Sequence, residues 1–220
     1  MKVRDENMNA KAISFALMMG VLGNVLFAIS YYAGNLIPGI IAVDFSLIAA
    51  YIAGFYGGPI IGFLSGLLIG IMPGIMFGPM GTSSWLGLFS LPIGKGLTGL
   101  TAGLIGKGIG LGRRPYSSIL AAPATLLAYI PEFIYTYIHF AYLMPLLLGI
   151  DKITIGVQQF GLGEFFLIFI LPKAFSEVVI ISLLMAALIG NRGFRDFMDR
   201  FFIKQGAPLK LKTKEPKLET

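Results

Sequence analysis

Glu132, Tyr135, His139 and Tyr142 recur at a three-four-three spacing in a nearly uncharged stretch, which places all four along one face of an α-helix. A carboxylate, an imidazole and two phenols on one stripe suit a polar, partly aromatic ligand. Rings stack on it or enclose it, and the polar ends fix its orientation. The competing account makes the tyrosines an interfacial belt and satisfies His139 with a backbone carbonyl. Glu132 lies too deep in its apolar run to be a belt residue. Farther along, Lys173 and Glu177 stand four apart and can pair. They form either an internal salt bridge that offsets the cost of burying both, or a site in which Lys173 faces Glu132 or a ligand carboxylate. Lys95, in Leu91-Pro92-Ile93-Gly94-Lys95-Gly96, either snorkels to the surface or points inward. Glu164 suits a helix N-terminus, where it caps or closes a pocket from above. Trp85 falls in a Gly-, Pro- and Ser-rich loop, as an interface anchor or a lid. Asp44 is expected to cap the helix that follows it.

Other chemistries find no support in the sequence. With 1 histidine and 0 cysteines, a zinc or nickel site of the usual kind cannot form. No metal or cofactor is expected. HExxH, Walker A and GxSxG motifs are missing, and Gly106-Lys107-Gly108-Ile109-Gly110 lacks the spacing of a phosphate loop. The chain is therefore not expected to be an enzyme or to hydrolyse ATP alone. The net charge of +6 is not a nucleic-acid signal, because the basic residues stand at helix ends and in the tail.

The elements that position these residues follow from composition. Of 220 residues, 56% are hydrophobic and 13% charged, where a soluble domain carries about a quarter charged. The fold class expected is an all-α membrane protein with six transmembrane helices, at about 12–33, 40–56, 59–77, 89–108, 117–148 and 164–190. Pro59 suits a first helical turn. Pro123, Pro131 and Pro145 are expected to kink or divide the fifth span. Residues 1–190 form the membrane domain, and 191–220 a polar segment and basic tail; Phe194 to Ile203 is amphipathic and suits the membrane surface. With both termini inside, fourteen of the 17 basic residues fall in inner segments: Lys2, Arg4, Lys11, Lys107, Arg113, Arg114 and the eight beyond Gly190. Lys152 alone is outside, as the positive-inside rule requires.

Gly54, Gly58, Gly62, Gly66, Gly70, Gly74 and Gly78 recur at every fourth position. Small residues so spaced let another backbone approach closely. That backbone belongs either to the chain's own bundle or to another membrane protein.

The order of these features resembles the substrate-capture subunits (S components) of energy-coupling factor transporters. The resemblance covers most of the chain. Ala12-x-x-x-Ala16, extended by Gly20, is similar to the small-residue motif these subunits present to their coupling partner. Ala53-Gly54-Phe55-Tyr56-Gly57-Gly58-Pro59-Ile60-Ile61-Gly62 looks like their turn between spans two and three. Leu91 to Leu97, with Gly99, Gly103 and Gly106, resembles their fourth span. The resemblance implies a multi-pass protein of the cell membrane that captures a vitamin-like small molecule outside. It then works with a transmembrane coupling protein and two cytoplasmic ATPases. Spans one to three, with Ala12, Ala16, Gly20, Gly58, Gly62 and Gly66, would face the partner; spans four to six would hold the ligand. The residues themselves leave two other functions open: an ion-coupled secondary transporter using Glu132, His139, Lys173 and Glu177 as a relay, and a membrane scaffold.

Overall fold

The computed structural model describes residues 10–36, 43–111 and 117–203. Among the described residues five helical stretches are long and apolar enough to cross a membrane: Ala10–Ala33, Pro59–Phe77, Ser84–Ile109, Ser118–Leu148 and Leu162–Gly190. The chain is a helical, multi-pass membrane protein. Its elements are α1 (Ala10–Leu36), α2 (Ser46–Gly57), α3 (Pro59–Ile69), α4 (Ile71–Phe77), α5 (Ser84–Ile109), α6 (Ser117–Ile138), α7 (Met144–Leu148), β1 (Lys152–Ile155), β2 (Gln158–Gly161), α8 (Leu162–Phe165), α9 (Leu171–Gly190) and α10 (Arg192–Ile203). Expected features at Met1–Asn9, Pro38, Arg113, Arg114 and the basic tail beyond Ile203 lie outside the described residues.

The glycine ladder is spent inside the molecule. A Cβ on Gly62 would stand 2.2 Å from the Gly99 carbonyl oxygen, and one on Gly99 would stand 2.0 Å from the Gly62 oxygen. Along the same seam Gly66 meets Lys95 and Gly70 meets Pro92, each at 2.2 Å. As α3 numbers rise the α5 numbers fall, so the two helices run antiparallel, backbone against backbone. Gly54 of α2 is held 2.6 Å from the Gly99 oxygen by the same measure. Gly58 has a φ of 87° and makes the turn between α2 and α3, a conformation open to glycine at no steric cost.

The small residues of α1 also face inward. Ala16 is buried, and a Cβ on Gly20 would meet Leu68 Cβ at 2.6 Å. The expectation that Ala16, Gly20, Gly62 and Gly66 form an outward docking surface is therefore corrected: each packs on the chain's own helices. The lipid-facing stripe of α1 is instead Leu17, Val21, Val25 and Ile29.

Four boundaries differ from expectation, each for a local reason. The third span divides at Gly70, because Pro73 has no N–H for the Ile69 carbonyl. Asn24 of α1 clamps this break, donating to the Leu68 carbonyl at 2.8 Å and accepting from Met72 N–H at 3.0 Å. Trp85 stands in the first turn of α5 rather than in a loop. The 151–163 loop contains a hairpin, β1 paired antiparallel with β2. Gly156, with φ of 61°, takes the first turn position, which favours glycine.

The fourth difference is a pair of π-helical turns, His139–Leu143 and Phe166–Ile170. Each is followed by a helix whose second residue is proline, Pro145 or Pro172. A proline ring clashes with the carbonyl four residues back and offers no donor, and the turn before it widens to the i→i+5 pattern. Pro92, Pro123 and Pro131 lie within helices that continue through them.

The seam generates a prediction. Gly62→Ala should lower stability by about 1–3 kcal/mol through overpacking, read by thermal unfolding of the purified protein. Gly108→Ala should not, because a methyl there meets nothing within 4 Å.

Candidate functional site

Helix α2 has 12 residues and rises about 18 Å, short of the roughly 30 Å hydrocarbon core. It runs parallel to α5, and its first turn meets α5 part-way along. Lys95 lies about 17 Å into α5, so the start of α2 brings polar backbone to the level of that lysine. Lys95 Nζ donates to Asp44 Oδ2 at 2.6 Å and to Ser46 Oγ at 2.9 Å. The pair is buried, with side-chain exposures of 4% for Lys95 and 21% for Asp44. Of the two orientations open to Lys95, the structure takes the inward one. Asp44 also fixes the start of α2, accepting Ser46 N–H at 2.9 Å. The N-cap of α2 is Phe45, which makes no side-chain cap bond, so the capping expected of Asp44 is replaced by a brace one residue earlier and by the ion pair.

Glu132 reaches the same region from α6. It is buried and accepts a short hydrogen bond from the Thr98 hydroxyl on α5. Lys95 and Glu132 feel one another's charge, though they are not in ion-pair contact. From α9, Glu177 accepts Asp44 N–H at 3.2 Å and Lys173 Nζ at 2.6 Å, both on Oε1. Lys173 therefore pairs with Glu177 rather than turning to Glu132. Its side chain is 44% exposed. Four helices thus bring three carboxylates and two ammonium groups to one place. Tyr51 and Tyr129 both lie near enough to sense the Glu132 charge.

A second polar group stands beside the first. His139 is buried between α5 hydroxyls, with Nδ1 2.7 Å from Ser90 Oγ and Nε2 3.3 Å from Ser83 Oγ. Ser90 donates to Tyr135 Oη at 3.3 Å. The Ser90–His139 distance is that of a nucleophile and a base. No carboxylate orients the imidazole, because its other nitrogen faces Ser83, so the arrangement lacks the third member that such catalysis uses.

The face predicted for α6 therefore holds for Glu132, Tyr135 and His139 and ends there. Tyr142 is 61% exposed and packs its ring on Tyr137 at 6.3 Å. The π turn that begins at His139 rotates it away from the stripe, which corrects its expected place in the site. Glu164 is exposed and bonds Gly161 N–H at 3.1 Å, so of its two expected roles it takes capping. Trp85 is half exposed. Among the described residues no group of three or more His, Cys, Asp or Glu side chains could hold a metal ion.

Ser46, Tyr51, Thr98 and Tyr129, and the pairing role of Asp44, escaped the sequence-based selection. One signal was available: a lysine mid-way along an apolar helix demands a counter-charge, and Asp44, expected only as a cap, was a carboxylate near an apolar helix start. The hydroxyls carry no such signal.

No family model, curated protein or solved structure matches this chain.

The buried pair generates a double-mutant prediction. Asp44→Asn or Lys95→Met alone should cost about 3–5 kcal/mol, because each leaves a buried charge without its partner. The double variant should recover most of that loss, measured by thermal or denaturant unfolding of each protein.

Proposed function

We propose that the chain is the membrane-embedded, substrate-capturing subunit of an importer of the energy-coupling factor type. It takes up a small polar, vitamin-like compound from outside. It delivers the compound inward with a transmembrane coupling protein and two cytoplasmic ATPases. One observation carries this: Asp44, Lys95, Glu132 and Glu177 converge from the start of α2 and from α5, α6 and α9 in the interior of an apolar bundle. Ionisable side chains are expensive there, and they mark substrate or ion pathways.

In this proposal α2 counts as a short sixth crossing and both termini are cytoplasmic. The clustering of basic residues near the chain ends and the 107–114 segment supports that orientation. The basic, amphipathic α10 then rests against the inner membrane surface. It docks there through buried Met198 and through Phe194, whose ring meets Tyr56 at 5.8 Å. Ala12, at the edge of the α1 stripe, remains partly accessible to a partner; Ala16 and Gly20 do not.

An ion-coupled secondary transporter is the second reading, favoured by one observation: Glu132 is a buried carboxylate with a hydroxyl partner and no ion pair among the described residues. The scaffold alternative loses its main support, since the glycine ladder is used within the bundle.

Native mass spectrometry of the tagged protein from its own membranes tests the proposal. The expected species contains a coupling membrane protein, two ATPases and a bound small molecule of discrete mass. A chain without them, driving uptake on an ion gradient in proteoliposomes, would overturn it. Glu132→Gln is expected to abolish ligand binding and spare the partner complex, which the same spectra would read.

A further inference from the structure

We infer that the compound bound at this site carries a positively charged nitrogen beside a flat ring, and that this nitrogen seats on the Glu132 carboxylate. Its place in transport rests on the capture-subunit proposal; its binding does not.

The charges in the cluster do not balance. Asp44 is matched by Lys95 at 2.6 Å, and Glu177 by Lys173 at 2.6 Å. Glu132 is buried, and among the described residues the Thr98 hydroxyl, on Oε2, is its one side-chain donor. A buried carboxylate is stable when paired or further hydrogen-bonded, and Oε1 has neither an ion-pair partner nor a donor among those residues.

A second, independent observation points to a ligand. Tyr51 is 0% exposed, and among the described residues its hydroxyl has no hydrogen-bonding partner. A buried tyrosine hydroxyl ordinarily finds a partner, and this one lies within electrostatic range of the Glu132 carboxylate. The surroundings suit such a ligand. Tyr51, Tyr129 and Tyr135 offer rings, and rings attract cations. Gly94 borders the carboxylate: a Cβ there would stand 3.4 Å from Glu132 Cγ, 3.7 Å from Tyr135 Cδ1 and 3.8 Å from Glu132 Oε1, in ordinary contact with all three. The absence of a three-ligand group among the described residues favours an organic cation over a divalent metal.

Benzyltrimethylammonium, a cation with no N–H to react with an activated carboxyl, is the probe. The full chain in lipid nanodiscs is treated with dicyclohexylcarbodiimide, an apolar carboxyl reagent, and labelling of Glu132 is read by peptide mass spectrometry. Benzyltrimethylammonium chloride should slow labelling roughly threefold at twice its dissociation constant, following mass action. Benzyl alcohol and sodium chloride at the same concentration should not. Gly94→Ala, which adds a methyl beside Oε1 without a clash, should remove most of the protection, and Gly108→Ala should retain it. Equal protection by sodium chloride would assign an inorganic cation instead. Equal protection by benzyl alcohol would remove the need for charge. A Glu132 that is never labelled, or is labelled at the same rate throughout, would show a closed carboxyl. Each of these overturns the inference. The absence of co-purifying ATPases would overturn the transport proposal and leave the labelling ratios unchanged.

Discussion

The contact between Gly62 and Gly99 is the constraint from which the rest follows. Neither position can hold a Cβ, so α3 and α5 approach to the distance of their backbones. In a lipid environment helices gain nothing from hiding apolar surface from water, and close packing of this kind supplies much of the association energy. The seam also sets a register. With Gly66 against Lys95 and Gly70 against Pro92, one residue of slip would drive a side chain into a backbone at several points. Because α2 turns into α3 at Gly58 and packs Gly54 on the same stretch of α5, fixing α3 fixes where α2 begins. Asp44 and Ser46 are thereby delivered to the Lys95 ammonium.

That delivery explains how charge survives in the interior. An ammonium held by a carboxylate and a hydroxyl is tolerable in a low dielectric; either half alone is not. The same economy ties α9 to the cluster, since Glu177 Oε1 serves both the Asp44 backbone and Lys173. Glu132 stands outside this matching, within electrostatic range of a Tyr51 hydroxyl that is also unmatched among the described residues. The structural charges and the unspent ones lie side by side, and a bound molecule differs from a salt bridge by drawing on the latter.

The helical membrane class was legible from composition, and the polar face of α6 from spacing. The ladder of glycines was legible as a close-packing surface, but periodicity does not say what packs there, and Gly62 could equally have met a foreign helix. Tyr142 shows the limit of a fixed helical period: its spacing from His139 is regular in sequence, and a π turn caused by Pro145 carries it off the stripe. Asp44 shows another limit. Its place before a helix start can be read from its neighbours, whereas its partner Lys95 is 51 residues away. Thr98 and Tyr51 have no distinguishing pattern at all, since a hydroxyl in an apolar helix is most often satisfied by its own backbone, as Thr125 is by the Ala121 carbonyl.

The bond from Asp44 N–H to Glu177 spans 133 residues of chain. Synthesis proceeds from the N-terminus, so α2 and α5 emerge and meet long before α9 exists. The Lys95–Asp44 contact can therefore form on a nascent chain, while the tie to Glu177 waits for the ribosome to deliver the last long helix. Until then the interior stands open on the side that α9 will cover, and a chain truncated before Leu171 would insert most of its helices yet leave the charged cluster without the carboxylate that ties it to α9.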